Sequence, residues 1–302
     1  MSKIQVNKLH TLTGHNDCIY ALVEGVDPRK FYTGSGDGMV VEWDLDAPKD
    51  GKLIAKLSHS VYALAVDPER NLLFIGHNFE GVHVVDLNTK EEIWSLKITN
   101  QAIFDIKAYQ GKLFVGTGDG VLTILDIEEK SLLKHIKLGE KSIRVMSLFP
   151  EKKHMAIGMS DNSVVILDLE TFAPLKKMHN HTNSVFALRY APDGKILVSG
   201  GRDAHLKVWS VDSYQEEESI VAHLYAINYL SFREDGKYFV TCSMDKSIKL
   251  WDGSSFKLLK VIDKARHAGH GTSVNKVLWS RYNHKIIAVS DDRTVSIWDI
   301  EL

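Results

Sequence analysis

Two strings, GRDAHLKVWSVD at residues 201–212 and SMDKSIKLWDG at residues 243–253, carry the same punctuation forty-two residues apart. Each places an Asp in a tight turn, then an alternating run, then a Trp six residues after the Asp: Asp203 to Trp209, and Asp245 to Trp251. The same step joins Asp37 to Trp43 and Asp292 to Trp298. With the residue that ends each alternating run as a ruler mark, the marks are Trp43, Val85, Leu125, Leu167, Trp209, Trp251 and Trp298, spaced 42, 40, 42, 42, 42 and 47 residues apart. Self-similarity at this period means one supersecondary unit that buries its apolar face only against copies of itself. Seven copies account for residues 1–302 as a single domain.

Within a unit the pattern is strand. Ala187-Leu188-Arg189-Tyr190 leads to a Pro-Asp-Gly-Lys turn at 192–195, then Ile196-Leu197-Val198-Ser199, then the turn at Gly201-Arg202-Asp203. His205-Leu206-Lys207-Val208-Trp209 follows with period-two alternation, which a strand with two different faces requires. Turn residues separate the runs every eight to twelve positions, and no stretch holds a 3.6-residue period, so almost no helix is expected.

The repeat length, the Gly-His near the start of a unit and the Trp-Asp near its end resemble the WD-repeat family of β-propellers. The best copies are GHNDCIYALV…YTGSGDGMVVEWD and HTNSVFALRYAPDGKILVSGGRDAHLKVWS. The resemblance implies an all-β, seven-bladed propeller with four antiparallel strands per blade. Only four residues follow Trp298, while Leu9-His10-Thr11-Leu12 precedes the first Gly-His as a spare strand. The N-terminal strand is therefore expected to complete the last blade and remove two open sheet edges.

Composition narrows the function classes. A formal net charge of −2, from 37 basic and 39 acidic side chains, supplies no general field for nucleic acid or anionic lipid. Two distant cysteines, Cys18 and Cys242, suit a reducing compartment. The N-terminus lacks the apolar core of a signal peptide, and no apolar run is long enough to span a bilayer. A cytoplasmic protein without membrane attachment is expected.

The resemblance also implies a structural tetrad in each well-formed blade, of His, a hydroxyl, the turn Asp and the Trp. Three sets are complete: His15, Thr33, Asp37, Trp43; His181, Ser199, Asp203, Trp209; and His223, Thr241, Asp245, Trp251. The seventh unit has His270, Asp292 and Trp298, but Ala288 stands where the hydroxyl is expected, so its network is expected to be broken or bridged by water. His, Ser and Asp together also fit a catalytic triad. Three copies at one spacing, each with a Trp N–H needing a partner, favour the structural role. Units two to four lack the Trp, and units three and four carry Val115 and Ile157 at the hydroxyl position. The second has Asn78-Phe79-Glu80-Gly81 in place of the Asp turn. These three blades are expected to rely on apolar packing.

Glycine-rich loops at residues 34–38 and 116–120 precede strands rather than helices, so they are turns and not phosphate cradles. No cofactor, metal ligand set or catalytic residue is assigned. Basic turn residues (Lys30, Arg70, Lys112, Lys153, Lys195, Lys237, Lys285) alternate with acidic ones and read as a solvated rim.

In the resembled family, partners dock on the face that carries the His loops and Asp turns. Five residues after the His, or its register equivalent, stand Tyr20, Tyr62, Phe104, Arg144, Phe186, Asn228 and Asn275. Just before the turn Asp stand Gly36, Asn78, Gly118, Ser160, Arg202, Met244 and Asp291. Tyr20, Tyr62, Phe104, Arg144, Phe186, Arg202 and Met244 are the expected partner-binding residues, since aromatics and Arg dominate interface energetics. The resulting expectation is a non-catalytic scaffold, monomeric by itself, that binds a protein or peptide. The alternatives are an enzyme with its site at the channel mouth, or a reader of nucleic acid or phosphorylated ligands.

Overall fold

The computed structural model describes residues 4–302. Seven four-stranded antiparallel sheets form a ring of blades. Their innermost strands are Ile19–Glu24, Val61–Asp67, Ile103–Tyr109, Ile143–Phe149, Val185–Tyr190, Ile227–Phe232 and Val274–Trp279, for blades 1 to 7 in order. In six blades the four strands follow one another in sequence; in the seventh the outermost is Gln5–Leu12. It pairs antiparallel with Val295–Glu301, from Gln5 opposite Glu301 to Leu12 opposite Val295. The innermost strand of blade 7 packs against that of blade 1, so the ring closes.

The 47-residue last step has a local cause. A one-turn helix, Lys264–His267, is inserted before blade 7, with the Asp263 carboxylate accepting from the Arg266 amide at 2.8 Å. The N-terminal strand grips this insertion through Lys8, whose Nζ donates to the Ala268 carbonyl at 2.7 Å. No helix among the described residues is long and apolar enough to cross a membrane.

Neighbouring blades meet through one repeated contact. The first residue of each innermost strand is β-branched and sealed from solvent: Ile19, Val61, Ile103, Ile143, Val185, Ile227 and Val274. In blades 2 to 6 it faces a glycine on the second strand of the preceding blade. A Cβ on Gly34 would lie 2.6 Å from Val61 Cγ1, and one on Gly116 would lie 2.6 Å from Ile143 Cγ2. The missing side chain is the socket for the next blade's branched residue.

One residue further along, every blade carries a β-bulge. Ile19 pairs with Ser35 and Ala21 with Gly34, so Tyr20 is the extra residue. The same skip leaves Tyr62, Phe104, Arg144, Phe186, Asn228 and Asn275 out of register in the other six blades. A bulge bends its strand and re-aims the extra side chain. Here seven bulges aim seven side chains at one mouth of the central channel.

Deleting residues 1–13 removes the outer strand of blade 7 and uncovers the edge of Val295–Glu301. The melting temperature should fall by at least about 10 °C, at roughly 2–4 °C per kcal/mol for a chain of this size. A scanning-calorimetry midpoint within a few degrees of the full-length chain would contradict the closure.

Candidate functional site

The buried tetrads sit between blade strands and fix the loops of one face. In blade 5 the Trp209 indole donates to Ser199 Oγ at 2.8 Å, Ser199 Oγ lies 2.7 Å from His181 Nε2, and His181 Nδ1 lies 2.8 Å from Asp203 Oδ2. Blade 6 repeats this through Trp251, Thr241, His223 and Asp245 at 2.9, 2.7 and 2.8 Å. Donors and acceptors alternate without a gap: indole to hydroxyl, hydroxyl to imidazole, imidazole to carboxylate. Ser199 and Thr241 are wholly buried, so neither hydroxyl can meet a substrate.

Blade 1 has the same residues with one slack link. Thr33 joins His15 and Trp43 at 2.7 and 2.8 Å, but His15 Nδ1 stands 3.5 Å from Asp37 and makes no hydrogen bond. Asp37 Oδ2 instead accepts from the Asn16 amide at 2.7 Å.

Blade 7 corrects the expectation of a broken network. Ser296 supplies the hydroxyl, 2.7 Å from His270 Nε2 and 2.8 Å from Trp298 Nε1, and His270 Nδ1 lies 2.9 Å from Asp292. Ala288 and Ser296 are directly opposite in the antiparallel register, so a hydroxyl on either strand reaches the same point.

Blade 2 departs from apolar packing as well. Ser58, His77, His83 and Glu92 form a chain with successive separations of 3.1, 3.0 and 2.9 Å. Blades 3 and 4 hold smaller sets: Thr117 donates to Asp119 at 2.6 Å and Thr123 meets His135 at 2.9 Å, while Ser163 donates to Asp161 at 2.5 Å. The missed sequence signal lies two residues before the ruler mark, at His83, Thr123 and Ser296.

At the channel mouth the seven bulge residues come together around a cavity of about 510 Å³. Tyr20 and Tyr62 meet edge to face with centroids 4.7 Å apart, and Tyr62 stacks on Phe104 at 5.8 Å. The Arg144 guanidinium lies 3.9 Å from the Phe104 centroid and 4.9 Å from that of Phe186. These side chains are half-buried against one another rather than freely exposed. Burial holds the Arg144 pKa below its usual value, and among the described residues it has no carboxylate partner. Asn275 Nδ2 donates to Asp291 at 2.7 Å, and Asn228 Nδ2 to the Val274 carbonyl at 2.8 Å, so both amides serve the frame.

Arg202 and Met244 lie on the same face but do not line this cavity. Met244 is 54% exposed, and the loop it bonds to adds Leu224 and Tyr225, at 83% and 62%. Sequence reasoning missed those two. It also placed Asn78 on the face. Asn78 is instead buried, its Oδ1 accepting from the Ile103 amide at 2.8 Å, and Phe79 takes the outward place. Phe79 is half exposed, adopts a left-handed φ of 68° and lines the mouth.

The basic turn residues are largely matched. Arg70 pairs with Asp67 and Glu128, Lys153 with Glu170, and Lys285 with Asp299, at 2.6 to 3.1 Å. That rim offers no continuous positive field.

Two predictions follow from the tetrads. Ser296→Ala leaves an indole N–H and an imidazole nitrogen unpaired, costing about 1–3 kcal/mol, or roughly 2–10 °C in melting temperature. Adding Ala288→Ser to that variant should recover most of the loss; no recovery would refute the shared position. Stability should also fall in two stages on acidification. Burial holds His15 and His223 below their usual 6.5, so the unfolded chain binds protons that the folded one refuses, and stability declines below pH 6.5. Burial also pushes Asp203 up, but the His181 hydrogen bond and charge and the backbone amides outweigh it and hold it at about 2. Its contribution is present above pH 3.8 and is lost as the pH falls through about 2. A melting temperature that stays flat from neutral pH to 3 would overturn this account.

Comparison with protein families gives a match to repeats of one kind. The model described as WD domain, G-beta repeat covers residues 6–44, 172–210, 215–252 and 261–299, slightly more than half of the chain. Those segments contain the His, Asp and Trp of the four blades with a full tetrad set, while blades 2 to 4, with substitute networks, lie outside them apart from the strand Pro174–Met178. No curated protein matches the chain. With seven blades, a closed ring and four matched repeats, the chain belongs to the WD-repeat family of β-propellers.

Proposed function

We propose that this protein is a non-catalytic scaffold that captures a protein or peptide partner on the channel-mouth face. Propellers of this family generally serve as protein-interaction platforms. The observation that carries the finer reading is the continuous run Tyr20, Tyr62, Phe104, Arg144 and Phe186. It combines rigid aromatic surface with a cation that no carboxylate among the described residues neutralises. Aromatic rings bring large contact area at low entropic cost, and Arg fits carboxylates and carbonyl oxygens with a planar fork.

The partner segment is therefore one with apolar side chains to lie on the rings and an acidic side chain, chain terminus or carbonyl to meet Arg144. Phe79 extends the arc at blade 2, and Met244 with Leu224 and Tyr225 forms a second apolar patch at blade 6. Arg202 stands between them as an exposed charge. The free thiols Cys18 and Cys242 accord with a cytoplasmic setting, and we take the chain to be one domain that is monomeric by itself.

The triple substitution Tyr20→Ala, Tyr62→Ala, Phe104→Ala should abolish capture of the partner from native extracts, with near-ultraviolet circular dichroism confirming a retained fold. Truncating aromatic hot spots typically costs 2 kcal/mol or more each, about thirtyfold in affinity. A control substitution on the opposite rim, Lys195→Ala, should leave capture unchanged. Equal capture by the triple variant and the parent would move the interface to another surface.

A further inference from the structure

Below the mouth, the channel continues into a second cavity of about 370 Å³, and Tyr62 and Lys276 line both. Its wall carries a cluster of three cations, Lys107, Arg189 and Lys276, around one carboxylate, Asp105. Asp105 is fully engaged: Oδ1 accepts from Lys107 Nζ at 2.7 Å and from the Ile106 amide at 3.0 Å, and Oδ2 accepts from the Met146 amide at 2.6 Å. Arg189 donates to the Tyr229 hydroxyl and to the carbonyls of Leu188 and Met146, all neutral. Lys276 Nζ has no hydrogen-bond acceptor among the described residues and lies 3.9 Å from the Tyr229 ring centroid. The Arg189 guanidinium lies 4.7 Å from the same centroid. At the lower opening Glu24 is taken up by Arg281 at 2.5 Å, so it offers the channel nothing.

Two cations beside one ring, without a carboxylate of their own, are costly to keep in a confined site unless an anion completes them. We propose that the central channel of this propeller is a binding site for a phosphate-class oxyanion, held between Lys276 and Arg189 against the Tyr229 ring. Arg189 supplies a planar pair of donors and Lys276 a point charge with three, a combination suited to a tetrahedral oxyanion. The cavity volume leaves room for a second phosphoryl group.

The protonation of Lys276 fits this assignment. Burial, opposed by Asp105 and reinforced by Lys107 and Arg189, holds its pKa at about 8 instead of 10.5. The titratable groups around it are Asp105 and Lys107 of blade 3, Arg189 of blade 5, Tyr229 and Cys242 of blade 6, and Tyr62 of blade 2. A bound anion raises that pKa, so binding takes up a proton above pH 8 and weakens as the pH rises toward 10.5.

The test is isothermal titration of the full chain with inorganic phosphate and with pyrophosphate, at an ionic strength held constant with chloride. The expected result is saturable binding at one site per chain, with Lys276→Met weakening it roughly 10- to 100-fold. Arg144→Met, at the mouth, should leave it unchanged. Saturation by pyrophosphate alone assigns the site to condensed or organic phosphates, and saturation by both to the free ion as well; either supports the channel site. Titration with sulfate, whose charge is constant over the range, should show affinity falling above pH 8. Lys276→Met should melt no lower than the parent in anion-free buffer, since it removes an unmatched charge. Absence of saturable binding to the parent chain overturns the proposal, as does binding lost in Arg144→Met and kept in Lys276→Met.

Discussion

The ring depends on one contact made between blades: a β-branched side chain at the head of an innermost strand, pressed into the space left by a glycine on its neighbour. Where a Cβ would come within 2.6 Å of Val61 or Ile143, the two sheets are closer than any side chain allows. That approach sets the spacing at five of the seven junctions, while Cys242 and Val289 hold the equivalent position at the other two. The bulge beside each contact is a consequence. A strand anchored at Ile103 and rejoining its ladder at Asp105 has to push out the residue between them. The same packing that closes the ring therefore delivers Phe104 and its six counterparts to the channel mouth. Fold and face share one cause.

The tetrads act at the other side of each blade, where a Trp indole is buried and its N–H needs an acceptor. What matters is the location of an oxygen, not the strand that carries it. Ser199 reaches that place from the second strand of blade 5, and Ser296 from the third strand of blade 7. When the Trp is replaced by Val85, the demand disappears and the space is taken by a histidine chain ending on Glu92. The family's repeat pattern thus tracks a hydrogen-bonding requirement, and it lapses where no indole is present to impose one.

This explains what was legible in the sequence. The forty-two-residue step and the alternation around each Trp gave seven blades, and the spare strand before Gly14 gave the closure. Register counted from His15 or His181 was enough to name all seven bulge residues. It failed at Asn78, because the turn of blade 2 lacks its Asp and shifts by one residue, turning Asn78 inward and Phe79 outward. It failed at Ser296, because period and spacing do not record which residues face each other across a ladder. The channel cluster was missed for a different reason. Positions equivalent to Asp105 and Lys107 are Ala21 and Val23 in blade 1 and Ala63 and Ala65 in blade 2. Charges in an otherwise apolar register were the available sign, but only closure of the ring places Asp105, Arg189 and Lys276 in one cavity.

Charge in this molecule is organised by depth rather than by amount. On the rim, Arg70, Lys153 and Lys285 are answered by nearby carboxylates, and the overall balance is close to even. Along the axis the answers are missing: Arg144 lies between two Phe rings at the mouth, and Lys276 and Arg189 flank one Tyr ring below it. Low-dielectric walls concentrate the field of such charges and screening by salt is weak there, so a net charge of −2 coexists with a positive axis. Aromatic faces, with their negative quadrupoles, offset part of the cost of unmatched cations in that setting. The axis therefore favours negative or carbonyl groups while the rim stays electrostatically quiet, and that contrast, rather than composition, sets the proposed face apart from the rest of the surface.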